Sequence, residues 1–236
     1  MTQSTGERLV GTSMARVEDQ RFLTGRGKYI ADLSLPNMLH VAVLHSPYGH
    51  ARIISVDTSA IEEMPGVVGI LTGEEVKSMT LPFSNLLEPP YDKLEDYCLA
   101  VGKVRYVGEP VVAVAAEDKY VARDALELID IEYEPLEVLT DAEESMQGDA
   151  PRIHESVPTN VPWNQTYHWG DPDARFAEAD LVIKKRFDWH RFTSCPLETV
   201  GAAAEYDSRR QTLTIHSNSQ RPAMNLPYMR CKMVLR

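Results

Sequence analysis

The stretch from Glu109 to Leu136 constrains the fold more than any other part of this chain. EPVVAVAAE is an apolar run of strand length, of the kind buried on both faces. Asp118 can then cap a helix through Leu128, with Val121, Ala125 and Leu128 at i, i+4 and i+7 on one face. IDIEYEPL returns as a second strand. A strand–helix–strand unit with a crossover of roughly a dozen residues can pair its strands in parallel. The unit therefore predicts a sheet with a helix packed on it.

Shorter elements precede it. LHVAVLHS is β-rich and ends at the turn Ser46-Pro47-Tyr48-Gly49, and RIISVD follows as a second strand. Thr58-Ser59 can cap a brief helix, SAIEEM, that Pro65-Gly66 terminates. VVGILT is the next strand, and Gly73-Glu74-Glu75-Val76 begins a turn or short helix. Residues 80–100 hold three prolines and no period, which reads as a long loop. The first 26 residues are polar and glycine-punctuated and read as an extended arm.

Beyond Asp141 the chain is polar and proline-bearing to about Asp173, without periodicity, and reads as a connector. A short helical pattern follows, then a strand with Leu181, Ile183, Phe187 and Trp189 on one face and Lys184, Arg186, Asp188 and His190 on the other. VGAAAEYD, the turn Asp207-Ser208-Arg209-Arg210, and TLTIHS make an antiparallel hairpin. Together these elements predict an α+β (mixed α/β) fold. Its parts are an arm at 1–22, a first domain at 23–140, a connector at 141–173 and a second, incomplete domain at 174–236. The apolar and basic ending, with Pro227 interrupting any covering helix, reads as a truncated or split product.

Bulk chemistry removes several function classes. The formal net charge of -11 argues against nucleic acid and anionic membrane surfaces, both polyanions. Cys98, Cys195 and Cys231 are far apart and odd in number, so a zinc ribbon, an iron–sulfur cluster and a disulfide framework are not expected. That thiol pattern suits a cytoplasmic protein, and no apolar run is long enough for a membrane span. Gly25-x-Gly27 lacks the third glycine and the preceding strand of a dinucleotide fingerprint. His45 and His50 flank the HSPYGH turn but have no third ligand nearby, so packing or solvent roles are the simpler reading than metal binding. No catalytic residue and no metal ligand is assigned from spacing.

Several ordered motifs say more. Arg16-x-Glu18-Asp19, Gly25-x-Gly27-x-Tyr29, Asp32 with Pro36, Ser46-Pro47 with His50-Ala51-Arg52-Ile53, and Pro65-Gly66-Val67 stand in sequence. KVRYVGEPVVAVAAEDKYVARDALELIDIEYEPL continues them. This region closely resembles the opening of molybdenum hydroxylase large subunits, the family of xanthine dehydrogenase, aldehyde oxidase and aerobic carbon monoxide dehydrogenase. The resemblance implies an α/β hammerhead domain. Pro196-Leu197-Glu198, Asp207, Leu213-Thr214, Gln220 and Pro222 likewise resemble the start of the family's molybdopterin-binding domain.

The resemblance implies an oxidoreductase using a molybdenum–molybdopterin cofactor. Such enzymes hydroxylate an aldehyde, an N-heterocycle or a similar small molecule with water as oxygen source, or oxidise CO. It implies three partners: the remainder of the molybdopterin subunit, an iron–sulfur subunit and an FAD subunit. Gln220 falls where the family's glutamine hydrogen-bonds the molybdenum oxo group, which a neutral amide N–H can do without adding charge. Glu198 matches too, in a structural role. Ala223 stands where the family often has His, and Arg230 fits its arginine only loosely. The family's glycine-rich loop and its general-base glutamate are not in this chain, so it is expected to act only with the missing remainder. The other expectation is a stand-alone, non-catalytic interaction or assembly module.

Overall fold

The computed structural model describes residues 10–83 and 93–219. Within these, the chain divides into two bodies: residues 36–189, and residues 10–35 with 190–219.

The larger body is built on two three-stranded sheets. β1 (His40–His45), β3 (Val67–Thr72) and β5 (Pro110–Ala116) form one, in the order β1-β5-β3. β2 (Ala51–Asp57), β4 (Lys103–Val104) and β6 (Asp130–Pro135) form the other, in the order β4-β2-β6. The run EPVVAVAAE is the central strand of the first sheet, where Val111, Val112, Val114 and Ala116 are buried. Central position explains its unbroken apolarity: both edges of β5 are paired, and every residue of the strand is buried or half-buried.

Among the described residues every strand pairing of this body is antiparallel, which corrects the expectation for the strand–helix–strand unit. β5 and β6 lie in different sheets. Both edges of β5 are already occupied by β1 and β3, so β6 pairs with β2 instead. The connecting helix α4 (Lys119–Leu126) packs on β1, β3 and β5. Asp118 caps it by accepting from Tyr120 N–H at 2.7 Å. Its buried face is Ala122 and Ala125 rather than the expected Val121, Ala125 and Leu128, because the helix stops at Leu126 and Leu128 lies exposed beyond it.

One core joins both sheets and α4: Ala51, Ile61, Ala100, Val104, Val111, Val112, Val114 and Ala125, with Leu44, Ile53, Ile131 and Tyr133 packed against it. Fully burying a Val or Ile side chain contributes about 1.5–3 kcal/mol, so each of the buried Ile61, Val104, Val111, Val112 and Val114 is a large favourable contribution. Ile61 comes from α2 (Ser59–Glu62), the brief helix expected there; its first N–H is held by Asp57 rather than by Thr58. At α3 (Gly73–Met79), Thr72 and Glu75 form a reciprocal capping box. Gly73 opens that helix where a Cβ would overlap the carbonyl oxygen of Ala100. The approach of the 100–102 loop to α3 therefore requires glycine.

The stretch after β6 is held to this body. α5 (Ala142–Ser145) is capped by Asp141, which accepts from Glu143 and Glu144 N–H. Asn160 donates to the carbonyls of Ser145 and Pro151 and accepts from Ile153 N–H, and Val157 is buried. α6 (Pro172–Glu178) follows, with Asp171 accepting from Ala174 N–H and Pro172 in the first turn. The strand expected over 181–190 is not formed. Those residues carry the alternation but no neighbouring strand, and their apolar members stay exposed. Alternation marks a half-buried strand only where an edge exists to pair with.

The smaller body holds α1 (Asp19–Leu23), a 3-10 turn at Ile30–Asp32, and the hairpin of β7 (Ala202–Asp207) and β8 (Thr212–Ser217). α1 corrects the reading of residues 1–26 as wholly extended. Arg16 and Asp19 pair at 2.8 Å at its start, and Thr24 Oγ1 donates to Gln20 O at its end. None of the described residues in this body is buried. The hairpin and its turn fall where the sequence predicted them, with Asp207 accepting from Arg209 and Arg210 N–H.

Candidate functional site

Two places in the described chain gather functional chemistry. The first is the end of β8. Asn218 follows the strand and commits both ends of its amide: Oδ1 accepts from Gly201 N–H at 3.2 Å, and Nδ2 donates to Thr199 O at 2.7 Å. This ties the exit of the hairpin to its entrance. Just before the entrance, Glu198 Oε1 accepts from the backbone N–H of Ile30 at 3.0 Å, and Gly201 gives the Ile30 side chain room. Glu198 therefore anchors the N-terminal arm. Gln220, the one cofactor-binding residue the sequence singles out, lies outside the described residues, as do Pro222, Ala223, Pro227 and Arg230. The residues leading to it, Ser217-Asn218-Ser219, are uncharged.

The second place is a cleft of about 220 Å³ in the larger body, bordered by Lys77, Asp96, Arg105, Glu109 and His154. Arg105 is its hub. Its backbone N–H donates to Glu109 Oε2, its Nε to Ile153 O at 3.3 Å and its Nη1 to Lys103 O at 3.2 Å. Lys103 is buried and reaches out to Glu155 at 2.6 Å. The two cations thus clamp residues 153–155 onto β4.

Burial sets the proton affinities here. It raises the Glu109 carboxyl above its usual range despite the hydrogen bonds from Arg105 and Tyr106 that oppose the shift. Burial lowers the His154 imidazole, and the positive charge of Arg105 lowers it further. For Glu155 burial works the other way, but the hydrogen bond and charge of Lys103 outweigh it and hold the carboxyl below its usual range. Sequence reading did not find this cluster, because its members come from α3, the loop before β4, the turn between β4 and β5 and the stretch after β6. No short spacing connects them.

The histidines of the HSPYGH turn go separate ways. His45 Nδ1 meets Gly108 O at 2.8 Å, and His50 Nδ1 meets Glu137 O at 2.6 Å. A carbonyl can only accept, so each Nδ1 is the donor in its bond. The Nε2 of His50 is buried without a hydrogen-bond partner. Among the described residues no group of three or more His, Cys, Asp or Glu side chains is arranged to hold a metal ion. Cys98 and Cys195 are free, exposed thiols. No helix among the described residues is long and apolar enough to cross a membrane.

Comparison with known proteins assigns two successive spans of the chain. Residues 24–137 match the family model for the aldehyde oxidase and xanthine dehydrogenase a/b hammerhead domain, and residues 153–230 match that for the molybdopterin cofactor-binding domain. The 6-hydroxypseudooxynicotine dehydrogenase complex subunit gamma of Paenarthrobacter nicotinovorans is 38% identical over 95% of this chain and 30% of its own length. The carbon monoxide dehydrogenase large chain of Afipia carboxidovorans is 37% identical over 90% of this chain and 27% of its own. Among solved structures, quinoline 2-oxidoreductase from Pseudomonas putida superposes with a TM-score of 0.83 at 37% identity, covering 94% of this chain and 28% of that one. The chain thus spans less than a third of each of these relatives. It belongs to the xanthine dehydrogenase, aldehyde oxidase and carbon monoxide dehydrogenase large-subunit family, carrying the hammerhead domain and the start of the molybdopterin-binding domain.

Proposed function

We propose that this chain is the hammerhead-and-entry portion of a cytoplasmic molybdenum hydroxylase large subunit, and that it works together with the remainder of that subunit. The observation that carries the reading is the succession of the two family matches, 24–137 and 153–230, along one chain. The molybdenum–molybdopterin cofactor, when bound, supplies the redox chemistry, and the protein supplies position and proton control.

In this reading Gln220 donates an amide N–H toward the molybdenum oxo group. What leads to Gln220 fits such a neutral donor: two uncharged residues, Asn218 and Ser219, follow β8, and Asn218 fixes the hairpin's exit through Thr199 O and Gly201 N–H. Glu198 keeps its carboxylate on Ile30 N–H and serves the scaffold. The general base comes from the remainder of the subunit. Substrates are small molecules with an electron-poor carbon, an aldehyde or N-heterocycle, or CO; electrons leave to iron–sulfur and FAD partner subunits.

The test is Gln220→Ala in the assembled enzyme. Loss of a hydrogen bond to a metal's ligand lowers activity about 10–100-fold while assembly and molybdenum content persist. Unchanged kcat and KM in that variant overturn the role given to Gln220.

A further inference from the structure

The cleft around Arg105 has no part in the proposed function, and its chemistry is specific enough to name an occupant. Its floor is apolar, from the buried Leu99 and Ala100. Arg105, Glu109 and His154 form its inner wall, and Lys77, Glu95 and Asp96 stand exposed at its rim. At about 220 Å³ it is smaller than the roughly 300–1,000 Å³ clefts that take drug-sized ligands, so its occupant is a small molecule.

Most of the charge inside is already spent. Glu109 takes the backbone N–H of Arg105 on Oε2, and its Oε1 lies 4.0 Å from Arg105 Nη1. Glu155 takes the buried Lys103 at 2.6 Å. Arg105 gives Nε and Nη1 to the carbonyls of Ile153 and Lys103. Burial and Arg105 lower the proton affinity of His154, so its imidazole is neutral near pH 7 and adds no charge.

Two cationic donors and two carboxylates remain. Among the described residues, Arg105 Nη2 and the Lys77 ammonium make no hydrogen bond or ion pair. The side-chain carboxylates of Glu95 and Asp96 make none there either. The Asp96 charge nonetheless acts on both Glu109 and His154, which sets it over the inner wall.

We propose that this cleft binds a small zwitterion of the amino-acid class, its carboxylate held by Arg105 Nη2 and Lys77 and its ammonium by Glu95 and Asp96. A simple carboxylate satisfies the donors but meets two open carboxylates of like charge. A simple amine satisfies the carboxylates but meets two cations. Only a ligand carrying both charges close together sets each open group against its opposite, and the Leu99 and Ala100 floor takes its side chain. The site stands independently of Gln220 and of the molybdenum chemistry.

Isothermal titration calorimetry on the full chain tests this. The probes are the common L-amino acids, one at a time, with propionate and ethylamine as the two halves of alanine. At least one amino acid with an apolar side chain is expected to bind with a Kd below about 10 mM, and propionate and ethylamine about tenfold or more weakly. Lys77→Met and Asp96→Asn change exposed residues and leave the Arg105 contacts intact, and each lowers affinity about tenfold. Lys119→Met, on the exposed side of α4, leaves it unchanged. No binding by any amino acid at about 10 mM overturns the proposal. Propionate or ethylamine binding as tightly as the amino acid overturns the zwitterion class. Affinity unchanged in either rim variant overturns the site.

Discussion

The backbone N–H of Ile30 donates to Glu198 Oε1 at 3.0 Å, joining two positions 168 residues apart in sequence. It holds the N-terminal arm against the entrance of the β7–β8 hairpin in a body with no buried side chain among its described residues. A single bond therefore matters more here than it would in a packed domain. Glu198→Ala is expected to cost about 1.5–3 kcal/mol of arm docking, the range for hydrogen bonds to charged groups. Glu198→Gln keeps an acceptor oxygen and retains most of it. Exchange of the Ile30 amide reads both: fast in the alanine variant, near wild type in the glutamine variant.

Lys103 and Glu155 form an asymmetric pair, with side-chain exposures of 7% and 69%. Removing the carboxylate leaves a buried ammonium unpaired, whereas removing the ammonium leaves an exposed carboxylate that water can solvate. Glu155→Ala is expected to destabilise by about 1–2 kcal/mol, below the usual range for a buried pair because Glu155 is solvent-screened. Lys103→Met is expected to be nearly neutral. Urea denaturation of the two variants checks the order.

The cleft gives stability an acid limb with a determined sign. His154 has its affinity for protons lowered by burial and by Arg105, so the folded chain binds fewer protons than the unfolded one. Its contribution is fully present above the ordinary histidine value of 6.5 and is lost as pH falls toward the depressed one. Glu109 acts in the opposite sense: its raised carboxyl costs stability as pH rises above the ordinary value of 4.5. Thermal melts are expected to drop on acidification just below pH 6.5, and His154→Asn to flatten that limb. An unchanged limb in His154→Asn assigns it to another group.

Gly73 carries a steric prediction. A methyl group there meets the Ala100 carbonyl, and backbone is slow to give way. Gly73→Ala is expected to lower stability by about 1–3 kcal/mol, as overpacking does, even though alanine is the better helix former. Denaturant midpoints compare it with Glu74→Ala one residue along on the exposed side of α3.

Much of the fold was legible from local pattern. The unbroken apolar run of β5, the Asp118 cap of α4, and the β7–β8 hairpin all follow from residues close in sequence. Pairing partners were not, since nothing local in β6 says that the edges of β5 are already taken. The 181–189 stretch shows the same limit from the other side, because its alternation is genuine but a strand needs a second edge. The cleft around Arg105 was invisible because four separated segments supply it. The assignment of Gln220 rests on resemblance alone; as a lone glutamine it has no local signature of cofactor binding, and it lies outside the described residues.

The account turns on whether this chain completes a molybdenum site with the remainder of its subunit. Elemental analysis of the co-expressed, co-purified complex measures that directly. About one molybdenum per complex, with Gln220 needed for full activity, is the predicted result. A stable complex free of molybdenum, prepared from cells supplied with molybdate, contradicts it. That outcome would leave the chain as a non-catalytic hammerhead module.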